Sequence, residues 1–138
     1  DYLFDTQIKY AKALAIKALL PIELKEAYQK GDKLALKVIA DEKIPTCIDA
    51  IKDFEKALYK QWHKVNKPFG YDVQQMRIGG MLMRLEMAQK RINEYLAGEL
   101  TSLEELETGD LPFIDGACKL RGSNSWRKAF TRSQITWS

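Results

Sequence analysis

A chain of 138 residues with 46% apolar residues, 30% charged residues and a net charge of +3 has the balance of one globular domain. That balance excludes a disordered segment, and so small a positive charge permits an acidic partner without demanding one. No stretch approaches the roughly 20 apolar residues that span a bilayer, so no membrane partner is expected.

The sequence opens Asp1-Tyr2-Leu3, with no initiator methionine, basic leader or cleavage signature. The expectation is a piece cut from a longer, cytoplasmic chain. Cys47 and Cys118 lie far apart, and a chain of this length can build a core without staples. Free, reduced thiols are therefore expected.

In chain order, residues 4–19 carry Phe4, Ile8, Ala11, Ala15 and Ala18 at helical spacing, which predicts an amphipathic helix with that stripe inward. Pro21 should end or kink it. A second short helix is expected over residues 22–30, stopped by Gly31-Asp32. Residues 33–41 read as another, with Leu34, Val38 and Ala35 turned inward. Pro45 suits the first position of a longer helix, with Asp49 in its first turn. Its apolar stripe is Cys47 or Ile48, then Ile51, Phe54, Leu58, Trp62 and Val65, and Asn66-Lys67-Pro68 closes it.

The next helix, with Asp72 as its expected N-cap, is apolar on two sides. Ile78, Met81, Leu82, Leu85, Ile92, Tyr95 and Leu96 form one stripe; Val73, Met76, Gly80, Met83 and Met87 form the opposite one. A helix of that kind normally sits between two neighbours, one of which could lie outside this chain. Gly79-Gly80 costs a helix interior about 1 kcal/mol per glycine relative to alanine, and either close approach of a neighbour or a kink would account for the pair. Gly98 ends the helix. Thr101-Ser102 with Glu104-Glu105 resembles a capping box opening one more short helix. Residues 109–138 are punctuated by Gly109, Pro112, Gly116 and Gly122 and read as a mostly irregular tail, with residues 134–137 as a candidate strand. The predicted fold is all-α: a bundle of about five helices with an irregular tail.

Chemistry is sparse. The single histidine, His63, makes neither a metal site nor a triad, and the zinc, P-loop and serine-hydrolase motifs are missing from the sequence. No metal, cofactor or catalytic residue is assigned. Asp41-Glu42 reads as solvated helix-end charge rather than an acid pair, since nothing around it suggests a pocket that would raise a pKa. Arg77, Arg84 and Arg91 recur along one helix edge and read as a solvated flank, with contact to phosphates or an acidic partner as the alternative. The tail's Lys119, Arg121, Arg127, Lys128 and Arg132, with Trp126 and Phe130, follow no known nucleic-acid motif, and no nucleic-acid partner is expected.

The run KPFGYDVQQMRIGGMLMRLEMAQKRINEYLAGEL followed by TSLEELE closely resembles the C-terminal helical domain of bacterial β-N-acetylhexosaminidases of glycoside hydrolase family 20. The resemblance rests on Lys67-Pro68, Gly70-Tyr71-Asp72-Val73-Gln74 and Arg77-Ile78-Gly79-Gly80-Met81. EAYQKGDKLAL, WHKVNKP and Asn124-Ser125-Trp126 fit more weakly, and Met81 stands where leucine is usual. It implies a catalytic (β/α)8 barrel upstream in the same polypeptide, acting on β-linked N-acetylhexosaminides. There an adjacent Asp-Glu pair assists attack by the substrate's own 2-acetamido group. Asp41-Glu42 does not match that motif's context, so no catalytic role passes to this chain. The whole of residues 1–138 is then an accessory domain. Its expected face toward the barrel, or toward a second copy in a homodimer, is Phe69, Gly70, Tyr71, Asp72, Gln74, Arg77, Gly79, Gly80 and Arg84. The rival reading is a free-standing helical module for an acidic or nucleic-acid partner.

Overall fold

The computed structural model describes residues 1–107; the expected irregular tail, the candidate strand, Cys118 and the tail's basic and aromatic residues lie outside them. The described residues are helical and hold no strand: α1 (Tyr2–Gln29), α2 (Lys33–Val38), a π-helical turn (Ile39–Lys43), α3 (Ile44–Val65), α4 (Tyr71–Ala97) and the single turn α5 (Glu104–Glu107). The all-α expectation holds, with several boundaries and faces corrected.

α1 runs unbroken through Pro21, so the expected division into two helices does not occur. Its orientation is reversed as well. Thr6, Ala13, Leu20 and Ala27 are the buried positions, while Phe4, Ile8, Ala11, Ala15 and Ala18 are exposed. Both sides of this helix are rich in apolar residues, so periodicity alone selects the wrong one. The buried Thr6 hydroxyl is held by the Tyr2 carbonyl at 3.1 Å and lies 3.4 Å from that of Ala57.

Gly31, with φ +66°, makes the turn into α2, and Asp32 caps it by accepting from the Ala35 amide at 2.9 Å. Leu34 and Val38 point outward, and Leu36, Ile39 and Ala40 are buried instead. The expected stop near residue 41 is replaced by the π turn, which carries the chain into α3 with Pro45 in the first turn. α3 therefore begins at Ile44, and Asp49 falls beyond its first turn. The extra residue of a π turn rotates everything before it relative to α3, which explains why the inward face of α2 was misplaced. Gln89 of α4 donates to the Ala40 carbonyl within that turn at 2.7 Å.

Along α3 the expected stripe holds through Cys47, Ile48, Ile51, Phe54 and Leu58, but Val65 is exposed. α4 buries Ile78 and Ile92 and packs Met81, Leu82, Leu85, Tyr95 and Leu96 on the core as expected. Its N-cap is Gly70, at φ +92°, rather than Asp72, which sits in the first turn.

α1 and α4 each run antiparallel to α3. The start of α1 meets the end of α3 at Thr6 and Ala57; its far half meets the start of α3 through a 2.8 Å ion pair from Lys43 to Glu23. α4 is tied to α3 by the Tyr71 hydroxyl, which donates to Glu55 Oε1 at 2.7 Å. α1 and α4 thus lie side by side on α3, and they meet where the rings of Tyr28 and Tyr95 pack edge to face at 5.5 Å. α5 straddles them at one end: the Tyr28 hydroxyl donates to Glu107 at 2.7 Å and accepts from the Leu103 amide at 3.0 Å, and Arg91 forks onto both carboxylate oxygens of Glu105.

Candidate docking surface

Four helices with charged surfaces could form a self-contained bundle. This one keeps large apolar groups in water instead. The outward side of α1 presents Phe4, Ile8, Ala11, Ala15, Leu19 and Ile22, with Phe4 68% and Leu19 57% exposed. All lie opposite the buried positions of the same helix. The outward side of α4 presents Met76, Met83 and Met87, and Phe69 in the preceding turn is 87% exposed. Contiguous apolar surface of this kind marks an interaction site more often than chance.

The two glycines belong to this outward side. A methyl group placed on Gly79 or Gly80 would meet nothing within 4 Å, so internal packing does not require either glycine. Both have ordinary helical backbone.

The expected docking residues separate into three groups. Phe69, Gly79 and Gly80 are exposed, Gly80 at the edge of a groove between α1 and α4. Arg77 and Arg84 turn toward that groove. Tyr71 and Gln74 turn inward, Tyr71 fully buried and Gln74 partly, and Asp72 is half-buried in the first turn of α4. Gly70 makes the turn before Tyr71 at positive φ.

Tyr71 anchors an aromatic corner. Its ring lies 5.5 Å from Tyr59, 5.8 Å from Trp62 and 5.2 Å from His63, and Trp62 Nε1 donates to the Lys67 carbonyl at 2.9 Å. Burial, and the hydrogen bond to Glu55, push the Tyr71 hydroxyl well above the usual phenol range. This corner explains the sequence around Gly70: the turn passes 3.5 Å from the Trp62 ring, measured from where a Cβ would stand, and bends at an angle that favours glycine. His63 is exposed and bonds back to the Tyr59 carbonyl at 2.9 Å.

No catalytic constellation emerges among the described residues. Asp41 pairs with Lys37 at 2.8 Å on the surface, and Glu42 is exposed beside it. Among the described residues no group of three potential metal ligands comes together, and no helix is long and apolar enough to cross a membrane.

The model of the glycoside hydrolase 20C C-terminal domain matches residues 1–123. The chain belongs to that family. A comparison with curated proteins found no match. The match runs past α5, so residues 108–123 are part of the same family domain as the helices. For a glycoside hydrolase 20C C-terminal domain, the aromatic corner accounts for Gly70, Tyr71 and Trp62 as structure, while the outer sides of α1 and α4 are exposed among the described residues.

Sequence reasoning missed the outer side of α1 as a surface because it assigned those residues to the core. The signal was present: Ala13, Ile16, Leu20, Leu24 and Ala27 form a second stripe opposite Phe4, Ile8, Ala11, Ala15 and Ala18. It also missed Glu55 as the partner of Tyr71, which no spacing rule connects across two helices.

Proposed function

We propose that this chain is the non-catalytic C-terminal domain of an exo-acting β-N-acetylhexosaminidase. Its outer apolar sides dock on the catalytic barrel of the same polypeptide, which removes terminal N-acetylhexosamine by substrate-assisted catalysis. The observation that carries the reading is an apolar face on α1 directly opposite its buried face, in a member of a glycoside hydrolase C-terminal family. Water-exposed Phe4, Ile8, Leu19 and Ile22 are a cost to an isolated domain and a gain when covered, at about 25 cal/mol per Å2 of apolar surface removed from water. Phe69, Gly79 and Gly80 extend the docking surface onto α4, and a symmetric homodimer is its other candidate occupant.

The test compares Ile8→Glu in the parent enzyme and in this chain alone. The expected result is a parent enzyme that loses thermal stability and activity on a chromogenic β-N-acetylglucosaminide, while the isolated chain keeps its melting point. A parent enzyme indifferent to the substitution would sink the reading, because a glutamate cannot sit unpaired in an apolar interface without large cost.

A further inference from the structure

Between α1 and α4 runs an open groove of about 710 Å3. Leu20, Leu24, Ile44, Met81, Leu85 and Ala88 make its apolar floor and walls. From Met76 to Ala88 it follows about 18 Å of α4, roughly three turns of helix. The Tyr28 and Tyr95 rings join the two helices beyond its Leu24 and Ala88 end. Gly80 lines the groove without a side chain, and a Cβ there would meet nothing within 4 Å.

The charges along this groove are all of one sign. Lys17, Arg77 and Arg84 are its charged lining residues, and no carboxylate stands among them. Cations elsewhere on the domain have acidic neighbours: Lys9 pairs with Asp5, Lys37 with Asp41, Lys43 with Glu23 and Arg91 with Glu105. Lys17 and Arg84 make no ion pair among the described residues, and they stand one on each wall. An apolar trough with a cation on either wall suits an apolar strip flanked by carboxylates. The walls also select the shape of that strip. α1 and α4 both run antiparallel to α3 and hence parallel to each other, so a helix laid between them completes a four-helix bundle by ordinary ridge-and-groove packing.

We propose that the groove receives one amphipathic helix of the catalytic barrel, with its apolar stripe on Leu20, Leu24, Met81 and Leu85 and its flanking carboxylates on Lys17 and Arg84. This rests on the reading of the chain as a domain docked on a barrel of the same polypeptide, and it names the chemistry of the partner at that contact. Met76 and Gly80 belong both to the groove and to the outer side of α4, so the groove continues the surface assigned to the barrel. A barrel of the (β/α)8 kind carries a ring of outer helices, and apolar anchors at i, i+3, i+4 and i+7 are how a helix fills such a trough. A second copy of this chain is the poorer occupant, because two copies facing groove to groove would oppose cation to cation.

The experiment treats the parent enzyme with a water-soluble carbodiimide, which joins a lysine amine to a carboxylate that touches it, and maps the links by mass spectrometry. Expected is a link from Lys17 to an aspartate or glutamate of the upstream barrel, absent in Lys17→Arg, which keeps the charge and loses the reactive amine. Arg84→Glu should lower the parent's inactivation temperature by several degrees and leave the melting point of the isolated chain unchanged. A Lys17 that stays unlinked while other lysines react would overturn the proposal. So would a Lys17 joined to a carboxylate of this domain or, in a mixture of heavy and light enzyme, to another molecule. Equal destabilisation of the isolated chain by Arg84→Glu would assign the groove to the domain's own packing and overturn it too. Ile8→Glu separates this proposal from the reading beneath it. A parent sensitive to Ile8→Glu and indifferent to Arg84→Glu docks without using the groove, whereas a parent indifferent to both does not dock through this surface at all.

Discussion

Tyr71 and the Gly79-Gly80 pair carry most of what is unusual at the smallest scale. Tyr71 is buried, yet its hydroxyl has a carboxylate to donate to. Removing that hydrogen bond in Tyr71→Phe should cost about 1 kcal/mol in denaturant unfolding at neutral pH. The pH dependence has a definite sign. Burial raises the folded-state pKa of Tyr71 above its unfolded value, which lies near 10. The stability this contributes is complete below about pH 10 and is lost as pH rises toward the folded-state pKa. Stability measured from pH 9 to 11 should therefore fall less steeply in Tyr71→Phe than in the unaltered chain. The glycine pair is the second case. Because a Cβ at Gly79 or Gly80 meets nothing and neither needs positive φ, Gly79→Ala and Gly80→Ala should each stabilise the isolated chain by about 0.5–1 kcal/mol. A loss of stability in that measurement would show that the glycines serve the domain's own packing.

At the scale of elements, helix existence was legible in the sequence and helix orientation was not. α3 and the inward stripe of α4 follow from one apolar face each, and there periodicity had a single answer. α1 offered two apolar faces, and what decides between them is contact with α3, which no local count contains. α2 was misread for another reason. The π turn at Ile39–Lys43 shifts the helical phase, and no residue in it announces a π turn. The corrected phase predicts that Leu36→Ala, at a fully buried position, lowers stability by about 2–5 kcal/mol. Leu34→Ala, at a position 79% exposed, should stay within about 0.5 kcal/mol. The same pair with the reversed order of effects would restore the original reading of α2. Of the candidate surface, the α4 portion was legible because the methionine and glycine stripe opposes a clear core stripe. The groove was not, since it exists only where α1 and α4 are held apart on α3.

At the scale of the molecule, the domain exposes apolar residues opposite its core on α1 and α4 and gathers no catalytic group among its described residues. Those two facts belong together if chemistry resides in another domain. The chain alone should then hydrolyse no chromogenic β-N-acetylglucosaminide, and activity that survives purification but disappears in Glu42→Gln would refute the division of labour outright. The stronger consequence concerns Gly80. In the isolated chain a Cβ there meets nothing within 4 Å, and leucine replaces a weak helix former with a strong one; its melting point should hold or rise. In the parent enzyme the same leucine would stand on the side of α4 proposed to meet the barrel, where an added side chain holds two surfaces apart and costs about 1–3 kcal/mol or more. The parent's inactivation temperature should therefore drop while the isolated domain's melting point does not. Opposite signs for one substitution in two contexts cannot arise from damage to the domain's own fold. Equal behaviour in both would confine the barrel contact to the outer side of α1, which Ile8→Glu probes separately.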